Sequence, residues 1–158
     1  VLMENRQRNS VSERFDGFMD SLKYSDYRID LWEREESDSD LPQFIQDKLK
    51  TTGANIVVAL DDSTLEAVID ALKTYDVTAE VYGIGSTNKI IHYLDYGLIQ
   101  SIVFQNEFNM GYLSVQELFK DSKDKVNKYS ETEIEFRTIN RETMYLPKNQ
   151  RLIFPIIQ

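Results

Sequence analysis

The chain has 158 residues, 41% hydrophobic and 28% charged, which is enough for one hydrophobic core, and a single domain is the expectation. A formal net charge of −9 argues against nucleic acid and anionic lipid, whose phosphates select basic surfaces. The lack of cysteine excludes disulfides, thiolate metal sites and cysteine nucleophiles, and His92, the single histidine, rules out His-rich zinc sites.

No apolar run approaches the roughly 20 residues of a membrane helix. Val1-Leu2-Met3 has no basic flank, so no signal peptide is read there, and no compartment follows from that. Residues 1–3 begin as a strand. Val11, Phe15, Phe18, Met19 and Leu22 then share one helical face. Residues 27–32 read as a second strand, with Tyr27, Ile29 and Leu31 alternating against Arg28, Asp30 and Trp32. Beyond an acidic loop at 33–40, Leu41, Phe44, Ile45 and Leu49 form a helix stripe, and Gly53 stands where a left-handed cap is wanted.

Ile56-Val57-Val58-Ala59-Leu60 is apolar on both faces, as in a parallel strand covered by helices on both sides. Ser63-Thr64-Leu65-Glu66 matches a capping box, followed by the stripe Leu65, Val68, Ile69 and Leu72. Residues 79–84 make the fourth strand, and Ile90, Ile91 and Leu94 carry a short helix ending near Gly97. Residues 99–104 make the fifth strand, and Tyr112, Val115 and Phe119 line the fifth helix.

Strands alternating with helices at roughly 25-residue spacing imply βαβ units with right-handed crossovers. The expected fold class is α/β: a doubly wound, parallel, five-stranded sheet of order 2-1-3-4-5 in a three-layer α/β/α sandwich, with an irregular β-containing C-terminal tail. Residues 1–120 form the lobe, 121–131 a polar linker and 132–158 the tail. In the tail, 134–139 and 152–157 read as strands and Pro147 and Pro155 interrupt the pattern. The tail packs on the domain's own edge or on a partner.

Ligands of open parallel sheets bind beyond the carboxyl ends of the strands. That selects the loops 4–10, 33–40, 61–62, 83–86 and 105–109, which carry Arg6, Arg8, Glu33, Arg34, Glu35, Asp61, Asp62, Gln105, Asn106 and Asn109. Such groups suit a polyhydroxylated or zwitterionic ligand. Plainer readings compete. Asp61-Asp62 precedes a helix, where aspartate is commonly a cap. Gly83-Ile84-Gly85 is a short GxG with Asn88 in place of a third glycine, and it follows the wrong strand for a dinucleotide loop. The acidic run around Glu33 lacks an EF-hand's glycine and final glutamate. His92 reads as a boundary residue, and Trp32 as core or rim rather than a sugar-stacking ring. No metal, cofactor or activated nucleophile is indicated, so an enzyme is not expected. A phosphate-handling hydrolase would have only Asp61-Asp62 to work with.

The segments Arg14-Phe15-Asp16-Gly17-Phe18, Val58-Ala59-Leu60-Asp61-Asp62, Val81-Tyr82-Gly83-Ile84-Gly85, the run from Gly97 to Gln105 and Met110-Gly111-Tyr112 occur in order. Over residues 1–120 this set resembles the carboxyl-terminal half of a type I periplasmic binding protein, the sugar-binding family that includes the ligand-sensing part of lac-repressor-type regulators. The resemblance implies ligand contacts at Arg14, Asp61 and Gln105, no cofactor, and a missing amino-terminal lobe as the other half of the cleft. Where sugar binders of the family carry an aspartate, this chain has Gly85. It further implies a solute-binding lobe for ABC-type uptake or sensing, extracytoplasmic and membrane-anchored in its parent, with a permease or sensor kinase as partner. The alternative is the effector-binding half of a lac-repressor-type regulator. The tail would be the return crossover, or would pair with another copy to give a homodimer.

Overall fold

The protein is described by a computed structural model over residues 1–3, 7–33, 40–121, 134 and 136–154. In chain order the elements are β1 (Leu2–Met3), α1 (Asn9–Leu22), β2 (Trp32–Glu33), α2 (Leu41–Thr52), β3 (Ile56–Ala59), α3 (Asp62–Thr74), β4 (Glu80–Ile84), α4 (Asn88–Asp95), β5 (Ser101–Gln105), α5 (Glu107–Asp121), β6 (Phe136–Asn140) and α6 (Pro147–Ile153). Arg6, Arg34 and Glu35 of the candidate loops, residues 122–131 of the expected linker, and 155–158 of the tail lie outside the described residues.

The sheet has six strands in the order β2-β1-β3-β4-β5-β6. The first five are parallel and stand in the expected order, while β6 is antiparallel to β5, with Ile102 opposite Ile139. One face packs Leu2, Val57, Ala59, Val81 and Ile102 against Ile45 and Leu49 of α2, Leu65 and Ile69 of α3, and Ile90 and Leu94 of α4. Each such aliphatic side chain contributes about 1.5–3 kcal/mol by leaving water. The other face holds a smaller cluster, in which Met3 and Leu60 meet Val11 and Phe15 of α1.

Local chemistry sets the helix ends. Asp40 accepts the Gln43 amide at 3.2 Å to start α2, and Gly53 closes it at φ 66°, as expected. At α3 the cap lies two residues earlier than the capping-box pattern suggested. Asp61 caps the helix, Ser63 donates to it, and Glu66 instead accepts the hydroxyl of Thr87 across to α4.

Three expectations need correction. The second strand is Trp32–Glu33 rather than 27–32. Trp32 is buried while Tyr27 and Leu31 are exposed. The alternation therefore runs opposite to the reading, because the indole carries the largest apolar surface and takes the inward position. In α5, Tyr112, Val115 and Phe119 line no core, and all three are exposed. In the tail, which contains a strand as expected, β6 is added to this domain's own edge, but Pro147 begins α6 instead of interrupting a strand, so Leu152 and Ile153 are helical. Proline suits a first helical turn because its missing N–H would be unpaired there anyway. Between the two elements, Asn140 accepts the amide and hydroxyl of Thr143, and buried Asn149 donates to the Thr143 carbonyl. Ile139, Met144 and Ile153 thereby join the main core.

Candidate ligand-binding site

Parallel pairing brings the carboxyl ends of β1, β3, β4 and β5 to one edge of the sheet. Arg14 reaches that edge from α1, where Nη1 donates to the Leu60 carbonyl at 2.9 Å. Its guanidinium is thus anchored over the end of β3, beside Asp61. Asp61 is only 8% exposed. Its Oδ1 accepts the Thr64 amide, the Thr64 hydroxyl and the Ser63 hydroxyl, each at 2.9 Å. The plainer reading of Asp61 as a helix cap therefore describes these bonds.

Asp62 faces the next loop, and its Oδ1 accepts the Ser86 amide at 2.8 Å. Ser86 in turn donates its hydroxyl to Glu107 Oε1 at 2.6 Å, which ties the β4–α4 loop to the start of α5. Asn106 caps α5 through the amide of Asn109. Half-buried Gln105 ends β5 on this edge, two strands away from β3 and three residues beyond Ile102, which is level with Ala59 at the end of β3. The structure thus joins Arg14 to the residue before Asp61 and sets Gln105 on the same edge, with no hydrogen bond between Gln105 and either of them among the described residues.

Two glycines shape this rim. A Cβ on Gly83 would stand 2.7 Å from the Ala59 carbonyl oxygen and 2.9 Å from Leu65. On Gly85 it would stand 2.5 Å from Ile90 Cδ1 and 3.2 Å from Asp62 Oδ1. The space that a side chain at position 85 would need, where the resemblance implies an aspartate, is therefore taken by Ile90 and by the carboxylate of Asp62. The bridging roles of Asp62, Ser86 and Glu107 were not foreseen; their loops were named, but no residue pattern announces a bond between sequence-distant loops.

Elsewhere, Glu33 lies on the edge strand opposite Met3, and Arg8 takes the cap position of α1 without a side-chain cap bond. Trp32 is buried in the main core, which removes it as a stacking platform. His92 packs its ring 4.5 Å from that of Tyr96 on the surface of α4. No cluster of three or more metal-ligating side chains occurs among the described residues, and no helix among them is long and apolar enough to cross a membrane.

A model of the periplasmic binding protein domain family matches residues 1–123. Among solved structures, the chain is similar to a carbohydrate transporter solute-binding protein from Agrobacterium radiobacter in complex with D-arabinose. That likeness has a TM-score of 0.84 at 19% identity and covers 96% of this chain and 54% of that one. A solute-binding protein of an ABC transporter from Agrobacterium vitis, bound with α-D-tagatopyranose, gives 0.83 at 14% identity over 96% of this chain and 53% of the other. A glucose-galactose binding protein from Geobacillus stearothermophilus gives 0.74 at 18% identity, over 92% and 53%. The chain thus spans about half the length of these structures. No curated protein matches it.

Proposed function

The chain belongs to the periplasmic binding protein domain family, and on that premise we propose that it forms one lobe of a sugar-binding protein serving ABC-type uptake or sensing outside the cytoplasm. In this reading it catalyses nothing. Its polar edge is one jaw of a cleft, and a companion lobe in the parent protein is the other. The observation that carries the reading is the bond from Arg14 to the Leu60 carbonyl. It holds a guanidinium, which has five N–H donors, at the carboxyl end of the sheet where ligands of such folds sit.

Arg14 donates to ring or hydroxyl oxygens, Gln105 offers both a donor and an acceptor, and Asp61 acts mainly by fixing the turn on which the ligand rests. Binding in the two-lobed parent, followed by calorimetry with D-arabinose, D-galactose and D-tagatose as probes, tests these roles. Arg14→Ala should weaken binding of the preferred sugar by about tenfold to a hundredfold, since a charged hydrogen bond contributes roughly 1.5–3 kcal/mol. Gln105→Ala should cost about tenfold or less. Unchanged affinity in both variants would remove the proposal. Because a clamshell site buries most of its ligand between the jaws, the lobe alone should bind far more weakly than the parent.

A further inference from the structure

A ligand rich in hydroxyls donates hydrogen bonds as well as accepting them, so an edge that holds one needs exposed acceptors beside its donors. Arg14 supplies donors alone. Asp61 commits one oxygen to Ser63 and Thr64 and is only 8% exposed. Asp62 accepts the Ser86 amide, and Gly85 has no side chain and no room for one. Glu107 differs from all of these. It is exposed, stands in the first turn of α5 two residues beyond Gln105, and accepts the Ser86 hydroxyl through Oε1 at 2.6 Å.

That bond fixes where the carboxylate lies. Ser86 follows Gly85 just beyond β4, and the Gly85 amide donates to the Val103 carbonyl of β5 at 3.2 Å. Asp62, the first residue of α3, holds the Ser86 amide at 2.8 Å while Glu107 holds its hydroxyl. The serine is thus gripped from two elements at once. Because β4 lies between β3 and β5, Glu107 reaches the middle of the edge, between Arg14 and Asp61 on one side and Gln105 on the other. A carboxylate has room for about four hydrogen bonds, of which Ser86 takes one.

We propose that Glu107, positioned by Ser86, is the acceptor that this edge offers to ligand hydroxyls, and that it makes the edge select neutral polyhydroxylated molecules over acidic ones. The proposal rests on the reading of the edge as a sugar-binding jaw and names the group in it that discriminates. A hydroxyl donating to a carboxylate makes a charge-assisted bond, stronger than one to a neutral acceptor. A side chain already held in place gives up little freedom on binding. An acidic ligand is drawn to Arg14, but Glu107 sets a like charge beside it and opposes that attraction.

Amide NMR titrations of the chain with D-galactose and with D-galacturonate test this, at neutral pH, up to about 100 mM, with sodium chloride matching the ionic strength. A cleft of about 540 Å³ at the amino ends of β1 and β3, lined by Phe18, Leu22, Tyr27 and Ile56 among others, is the internal reference, since it lies at the opposite end of the sheet. Galactose should shift Ser86 and Glu107 together with Arg14, leave the reference unmoved, and bind at least about threefold more tightly than galacturonate. Glu107→Gln keeps the size of the side chain and removes its charge. It should weaken galactose by about threefold to tenfold and narrow or reverse the gap to galacturonate, with the melting temperature unchanged because the side chain is exposed. Ser86→Ala releases the carboxylate without discharging it, so galactose should weaken while the gap persists. Equal binding of the two sugars, or a gap that Glu107→Gln leaves intact while Arg14 still responds, would overturn the role of Glu107 and spare the jaw. An edge that responds to neither sugar would remove both.

Discussion

At the end of β3, one oxygen of the Asp61 carboxylate holds the amide and hydroxyl of Thr64 and the hydroxyl of Ser63. Removing it leaves buried donors without an acceptor, so Asp61→Ala should lower unfolding free energy by about 1–2 kcal/mol in a denaturant titration. Asp61→Asn retains an acceptor and should cost less. A neutral Asp61→Ala would show that the cap does not hold the turn. The neighbouring glycines allow a paired comparison. Gly83→Ala pushes a methyl into the backbone oxygen of Ala59, which cannot move away, whereas Gly85→Ala meets the tip of Ile90, which can rotate. The first should cost about 1–3 kcal/mol and the second less. The reverse order would mean that β3 yields more readily than Ile90. Arg14 and Gln105, by contrast, should affect binding more than stability. These bonds are invisible in a sequence: Asp-Asp before a helix suggests a cap and a ligand equally, and only the geometry assigns the cap to Asp61 and the loop bridge to Asp62.

Helices α3 and α4 are joined by an ionic cluster on their outer surface. Lys89 donates to Asp70 at 2.8 Å and lies 3.4 Å from Glu66, and Tyr93 donates its hydroxyl to Asp70 at 2.9 Å. The bond to Asp70 raises the Lys89 pKa, and burial followed by the same carboxylate raises that of Tyr93. Both groups hold their protons more tightly when folded. Their contribution is therefore complete below the ordinary values of 10.5 and 10.0 and is lost as pH climbs through the raised ones. Stability should fall between about pH 10 and 12 by no more than ~1 kcal/mol from this cluster, given its exposure, and Asp70→Asn should flatten that slope. An unchanged slope would remove the cluster from the account of α3–α4 pairing. At this scale much was legible. The β-branched run of β3 and the stripe of α3 have a pattern that only a covered strand and a core helix satisfy. Two elements misled for physical reasons. In α5 the spacing of Tyr112, Val115 and Phe119 reveals an apolar face but not whether anything lies against it. In residues 27–33, two alternations were available, and the burial of Trp32 decided between them.

As a whole, the described residues form a sheet with a polar edge at one end, a large apolar core on one face and a smaller apolar cluster on the other. Sequence order and rhythm were enough to order the five parallel strands, though not to bound β2, because each βα unit obeys local rules. The sixth strand depended on where a tail folds back, which no local rule dictates. The chain spans about half the length of the sugar-binding structures that it resembles in fold. The most direct test is therefore a residue-resolved one on the chain itself: an amide NMR titration with D-arabinose, D-galactose and D-tagatose raised to about 100 mM, a range that detects even millimolar binding. Shifts should concentrate at Arg14, residues 60–62, Ser86 and Gln105, and should vanish in Arg14→Ala. Shifts confined to the cleft around Phe18 and Ile56, or none at the carboxyl edge with any of the three sugars, would contradict a ligand-binding role for that edge.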